Sequence, residues 1–173
     1  MSERPSAGQR SNEIESTATI DRPVAPIFAF YRDFRNLPLF LGDVMSVEPT
    51  GDATSRWTIQ GPMRVRIHWT VEVVEERENA SIRYRTASPR GLQTIWDISF
   101  TPEDRADGTK VREVMTLPLG KFAQAGLSLI GKPPADEIAA NLNRLKQLME
   151  TGKVTDLRHA VPGKFVSPVP PSL

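Results

Sequence analysis

The chain has 173 residues, a formal net charge of +1, and 39% hydrophobic and 25% charged residues. This length predicts one soluble domain with a substantial core. A net charge near zero gives no overall field that would attract nucleic acid or an anionic membrane. The absence of cysteine excludes disulfides and thiolate sites, and two histidines argue against a transition-metal centre.

Both ends of the chain look different from its middle. Residues 1–11 are polar and are predicted to form a disordered arm. Residues 154–173 contain four prolines and little periodicity, which predicts an extended tail. No segment resembles a signal peptide or a membrane span, so we expect a cytoplasmic protein with one domain over residues 12–153.

The domain opens with a β-prone segment, Glu13 to Ile20, and a helical segment follows it. Asp21 is predicted to cap a short amphipathic helix over about residues 23–34, whose prolines fit its first turn. Asn36 and Pro38 interrupt that helix, and the apolar residues around them predict a second short helical turn.

After this point the hydrophobic period changes from 3.6 to 2, which predicts strands. The clearest alternation lies between Val65 and Val73. A hairpin turn at Glu78 and Asn79 would place Arg85 opposite Glu72 on the outer face. Six strands are predicted in this region: Val44–Glu48, Arg56–Gln60, Arg64–Val73, Ile82–Thr86, Leu92–Phe100 and Thr109–Leu117.

A long amphipathic helix closes the domain. From Asp136 the apolar residues Ile138, Leu142, Leu145 and Met149 follow spacings of four, three and four, and Gly152 is expected to end the helix. Six meandering strands with a single apolar face need a cover, and this helix supplies it. The order predicts an α+β fold in which a curved seven-stranded antiparallel sheet wraps around the C-terminal helix.

Several segments resemble the SRPBCC superfamily (START, Bet v 1-like and polyketide cyclase/dehydrase domains), and within it bacterial cyclase/dehydrase or coenzyme Q-binding-like proteins. The resemblance covers residues 14–153. It implies a helix-grip fold whose cavity, across the superfamily, holds lipids, sterols, quinones or polyketides, and some members catalyse aromatisation or dehydration. It carries over no catalytic residues. The matching segments are Ala18–Pro23, Phe28–Phe34, Asn36–Phe40, Ser55–Trp57, Gly61–Pro62, Trp69, Gly108–Thr109 and Leu145–Gly152.

Large side chains on the inferred concave face, on the C-terminal helix and on the short helices are candidates for a ligand pocket. The alternative is that each simply fills the core. Collectively they favour a pocket, because a strongly curved sheet does not close completely on one helix. The predicted ligand-binding residues are Trp57, Trp69, Tyr84, Trp96, Met115, Leu142, Leu145, Phe28 and Phe40.

Glu113 is the candidate for chemistry. It shares the inward parity of Val111 and Met115 in the last strand. A carboxyl buried there would have a raised pKa, or a partner such as an arginine or Tyr84, and could act as a general acid/base or as a ligand anchor. The alternative is that a β-bulge or a frayed strand end turns the side chain towards solvent, or that the strand has a different register.

Three functions remain open, none requiring a cofactor, a metal or nucleic acid. The first is binding or carriage of a quinone, a lipid or a polyketide-like molecule. The second is a cyclase/dehydrase enzyme with Glu113 as acid/base and Tyr84 as hydrogen-bond donor. The third is an accessory protein that acts at a membrane or on a partner. The apolar segment Phe122–Ile130 would then make a transient membrane contact, unless that segment packs across the pocket mouth. The arginines on the outer face are interspersed with glutamates and predict a solvated charge ladder.

Overall fold

The computed structural model describes residues 13–89, 91, 93–104, 107–117 and 134–166. Seven strands and two α-helices lie in these ranges, and the predicted α+β helix-grip fold is confirmed. Two 3₁₀ helices accompany them. The elements are β1 (Glu13–Ile20), α1 (Val24–Arg32), a 3₁₀ helix (Phe34–Leu39), β2 (Val44–Pro49), β3 (Thr54–Gln60), a 3₁₀ turn (Pro62–Arg64), β4 (Arg66–Arg77), β5 (Ser81–Ala87), β6 (Gln93–Pro102), β7 (Thr109–Thr116) and α2 (Pro134–Thr151).

The strands form a single antiparallel sheet in the order β1-β7-β6-β5-β4-β3-β2. The first strand, β1, forms one edge of the sheet and pairs with the last strand, β7, so that Ile14 lies opposite Met115. Alternate residues face the helices, and their neighbours face solvent, where they form ion pairs. Arg112 bonds Glu15 at 2.6 Å across two strands, in the manner of the predicted charge ladder.

The β4–β5 hairpin reaches the predicted pairing of Glu72 with Arg85 by a different route. Its loop has three residues, with Asn79 at a φ of 56°, and not the predicted two. A β-bulge at Val74 shifts the register back by one residue. Such bulges bend and twist a strand, and this one contributes to the curvature of the sheet.

The N-terminus of α1 differs from the prediction. Pro23 occupies the N-cap position without a side-chain hydrogen bond, so the prediction that Asp21 caps this helix is wrong. The backbone N–H of Asp21 instead donates to Glu150 Oε1 at 2.7 Å, which ties the end of β1 to α2. The helix α2 ends as predicted at Gly152, whose φ of 72° is one that glycine adopts without strain.

Residues 154–166, the start of the predicted tail, pack back onto the domain. Their anchor is Arg144 of α2, which has no exposed surface. Its guanidinium donates to the carbonyl oxygens of Phe40 at 2.7 Å and Arg158 at 2.6 Å and lies over the ring of Phe165. A buried guanidinium must use its N–H groups, and the tail backbone supplies acceptors. The predicted arm, residues 1–11, lies outside the described residues.

Candidate functional site

A cavity of about 140 Å³ lies between the concave face of the sheet, the N-terminal half of α2 and the loop before β2. Its wall is mainly aromatic and aliphatic, with a few polar groups, as in typical small-molecule sites. The described lining residues are Leu41, Asp43, Trp57, Ile59, Gln60, Gly61, Ile67, Trp69, Tyr84, Thr86, Thr94, Trp96, Glu113, Met115, Pro134, Glu137, Ile138 and Asn141.

Four aromatic rings dominate the wall. Tyr84 and Trp96 stack with centroids 5.9 Å apart, and Trp57 lies 5.8 Å from Tyr84. The indole N–H groups of Trp57 and Trp96 donate to hydroxyls two residues away on their own strands. With their polar atoms bonded there, these indoles have only their apolar ring surfaces to offer to the cavity. Trp69, opposite Trp57 on β4, completes the set.

Glu113 lies on the wall, as its parity predicts, and is only 1% exposed. The hydroxyl of Tyr31 in α1 donates a hydrogen bond of 2.8 Å to its Oε1. Burial raises the pKa of Glu113 to about 7, and the hydrogen bond from Tyr31 offsets part of that rise. The carboxyl therefore exchanges its proton near neutral pH, as a general acid/base requires.

Tyr31 is the partner that sequence reasoning missed. The expected partners were an arginine or Tyr84, and Tyr84 lies on the wall of the same cavity. Burial and the charge of Glu113 raise the pKa of Tyr31 well above its ordinary value, so its hydroxyl remains a donor. No local pattern links a helix residue to a strand residue 82 positions later.

The structure divides the other predicted pocket residues into two groups. Trp57, Trp69, Tyr84, Trp96 and Met115 line the cavity. The remaining four belong to the packed core and are not among the described lining residues; they are Leu142, Leu145, Phe28 and Phe40.

Helix α2 reaches the cavity one turn earlier than predicted, through Ile138 and Asn141. The side-chain oxygen of Asn141 also accepts from the N–H of Gly42 at 2.9 Å, which fixes the loop that borders the cavity. Thr86 and Thr94 were missed as well, although their inward parity on β5 and β6 was a usable signal.

Within the described ranges, no group of three or more His, Cys, Asp or Glu side chains could hold a metal ion. None of the helices found in those ranges is long and apolar enough to cross a membrane. The predicted membrane-contact segment, Phe122–Ile130, lies outside the described residues.

Sequence comparison assigns the domain. The family model described as "Polyketide cyclase / dehydrase and lipid transport" matches residues 11–150. The chain belongs to this family. The predicted resemblance to the SRPBCC superfamily is thereby confirmed, and membership in the polyketide cyclase/dehydrase and lipid transport family indicates binding of a hydrophobic ligand. A search among curated proteins finds no match.

Solved structures share the fold. A protein from Deinococcus radiodurans is 25% identical, with a TM-score of 0.63 over 81% of this chain and 98% of its own. A START superfamily protein from Mycobacterium smegmatis is 16% identical, with a TM-score of 0.58 over 79% of this chain and 98% of its own. A putative protein of the dynemicin biosynthetic locus is 17% identical, with a TM-score of 0.60 over 83% of this chain and 49% of its own.

Proposed function

We propose that the protein binds or carries an apolar, ring-containing small molecule, such as a quinone, a lipid or a polyketide-like compound, in the cavity between the sheet and α2. The observation that carries this proposal is the cavity itself, about 140 Å³ and walled by Trp57, Trp69, Tyr84 and Trp96. An apolar cavity of about this size admits a benzene ring. Aromatic walls of this kind bury apolar ligands and orient their rings.

The three tryptophans of the chain all line the cavity, so their spectra report on its occupancy. The first experiment is native mass spectrometry of protein purified without removal of lipids. The second is titration of the stripped protein with naphthalene, followed through the three indole N–H signals. We expect a copurified molecule or shifts of these signals; if neither is found, the carrier function is refuted.

A matched pair of substitutions on β4 tests the location. Ile67→Asp places a charge on the cavity wall, whereas Val74→Asp places it on an exposed bulge outside the described lining. Burying a charge beside an apolar ligand is costly, so Ile67→Asp should weaken naphthalene binding by about tenfold or more. Val74→Asp should leave it unchanged, and equal weakening by both would place the ligand elsewhere.

The environment of Glu113 supports a second candidate, an enzyme of the cyclase/dehydrase type. A carboxyl with a pKa of about 7 on the wall of an apolar cavity is suited to moving a proton on a bound ring. Glu113 would be the acid/base, and Tyr84 would donate a hydrogen bond to a ligand oxygen. Tyr31 would orient the carboxyl through the bond that it donates.

The enzyme proposal is tested by proton exchange. Deuterium exchange at the carbon beside the carbonyl of a cyclic ketone, followed by NMR, should be accelerated by the wild-type protein. Glu113→Gln should abolish the acceleration, and Glu78→Gln, in the exposed β4–β5 loop, should retain it. The absence of acceleration, or its full retention in Glu113→Gln, would refute a catalytic Glu113.

A further inference from the structure

The charged side chains among the described lining residues of the cavity are all acidic. Two basic side chains outside that lining, Arg144 and Lys164, act electrostatically on Asp43. Among its described lining residues, Asp43, Glu113 and Glu137 are carboxylic acids, and none is lysine, arginine or histidine. The carboxylate of a fatty acid or another anionic ligand would meet like charges here and no cation among the described lining residues. Placing like charges together in an apolar site costs free energy, which disfavours such ligands.

The three acidic side chains differ in the groups that interact with them electrostatically. Asp43 and Glu137 act electrostatically on Arg144, the buried guanidinium that holds the tail. Glu113 is influenced by burial and by the hydroxyl of Tyr31, and no described basic residue acts on it. A buried carboxylate without a cation is unfavourable, and a bound group that brings a positive charge or a strong donor would offset that cost.

The aromatic walls favour the same kind of ligand. The face of an indole or phenol ring carries negative potential and attracts a cation. The indole N–H groups of Trp57 and Trp96 are already bonded within their own strands. These walls therefore add an attraction for a positively charged group near Glu113, and the N–H groups of Trp57 and Trp96 are already used and do not add one for an anion.

We propose that the cavity selects a ring-containing ligand that carries an amine or a comparably strong hydrogen-bond donor, with the donor held by Glu113 and the ring held among the tryptophans. This inference rests on the proposed binding function and specifies its ligand class. The cavity volume of about 140 Å³ fits one six-membered ring and a short substituent.

The test compares three ligands with the same ring and different charge: benzylamine, benzyl alcohol and benzoate. Each is titrated into the full chain at pH 7, and the indole N–H signals of Trp57, Trp69 and Trp96 are followed. Benzylamine should bind about tenfold more tightly than benzoate, with benzyl alcohol between them. Glu113→Gln should reduce that preference to about threefold or less, and the exposed Glu78→Gln should leave it intact.

The comparison among ligands on the wild-type protein does not depend on the folding of any variant. Benzoate binding as tightly as benzylamine, or the full preference persisting in Glu113→Gln, overturns the inference. Binding of naphthalene with no binding of any benzyl ligand also overturns it, while the proposed function stands. Failure of naphthalene to bind, with no copurified molecule, refutes the proposed function itself.

Discussion

Glu113→Gln should make the stability of the protein less sensitive to pH, because it removes a carboxyl whose pKa is raised by folding. In an unfolded chain this carboxyl titrates near its ordinary value of 4.5, and in the folded protein it titrates at about 7. Between these values the folded state holds a proton that the unfolded state has released. Raising the pH through this range therefore favours unfolding.

The size of the effect follows from the two pKa values. Each pKa unit corresponds to about 1.4 kcal/mol. The rise from 4.5 to about 7 therefore removes about 3 kcal/mol from the free energy of unfolding once the pH exceeds 7. Below pH 4.5 the carboxyl is protonated in both states and contributes no pH dependence. Glutamine has nearly the same shape, and its side-chain oxygen can still accept the hydrogen bond from Tyr31.

Urea unfolding at pH 5, 6, 7 and 8, followed by tryptophan fluorescence, measures the prediction. The stability of Glu113→Gln relative to the wild type should increase by up to about 3 kcal/mol from pH 5 to pH 8. Other titrating groups are common to both proteins and cancel in the difference. Glu113→Leu should lose the same pH dependence but be less stable at pH 5, because the buried hydroxyl of Tyr31 loses its acceptor. If the difference in the free energy of unfolding between Glu113→Gln and the wild type is the same at every pH, the pKa of the buried carboxyl is not raised and the reasoning is refuted.

Three further substitutions, and one comparison variant, test the surroundings of the site. Tyr31→Phe removes the donor to Glu113, so the pKa of Glu113 should rise further, as a ¹³C NMR titration of its carboxyl would show. Gly42→Ala would place a methyl against a tail carbonyl and 2.7 Å from the guanidinium of Arg144, and should cost about 1–3 kcal/mol in urea unfolding. Gly51→Ala, whose methyl would meet a threonine hydroxyl that can rotate away, should cost less. Arg144→Met leaves carbonyl oxygens of the tail without donors and should cost about 3 kcal/mol by the same assay, with earlier proteolysis after residue 153.

The strands and the long helix were predictable because their signals are local. Alternation from Ile67 to Val73 and the spacing from Ile138 to Met149 each require one buried face, and the chain satisfies both. Val65, where the predicted alternation begins, lies before β4 and is 52% exposed, so that end of the predicted strand is wrong. The sequence does not reveal the bulge at Val74. The extra residue in the three-residue loop shifts the strand pairing by one position, and the bulge shifts it back. Two different local structures therefore give the same pairing of Glu72 with Arg85.

The candidate site was predictable only where strand parity determined it. Parity on β3 to β7 brought the aromatic residues and Glu113 to the concave face. The apolar stripe of α2 runs along the whole helix. The spacing of its residues does not indicate which turn borders a cavity and which turn packs in the core. Leu142 and Leu145 were therefore assigned to the pocket, whereas Ile138 and Asn141 line it. The bond from Tyr31 depends on how α1 rotates over the sheet, which only tertiary packing fixes.

The cavity persists because its border is held in place. An empty apolar cavity destabilises a protein least when its walls can collapse inward. Here Leu41 and Asp43 line the cavity, and Gly42 between them bonds Asn141 through its N–H and Val161 through its carbonyl oxygen. The tail that contributes Val161 is itself held by the buried guanidinium of Arg144. We infer that these hydrogen bonds keep the loop from collapsing into the cavity. Their contribution to the free energy of folding offsets the cost of keeping a cavity with acidic side chains on its wall.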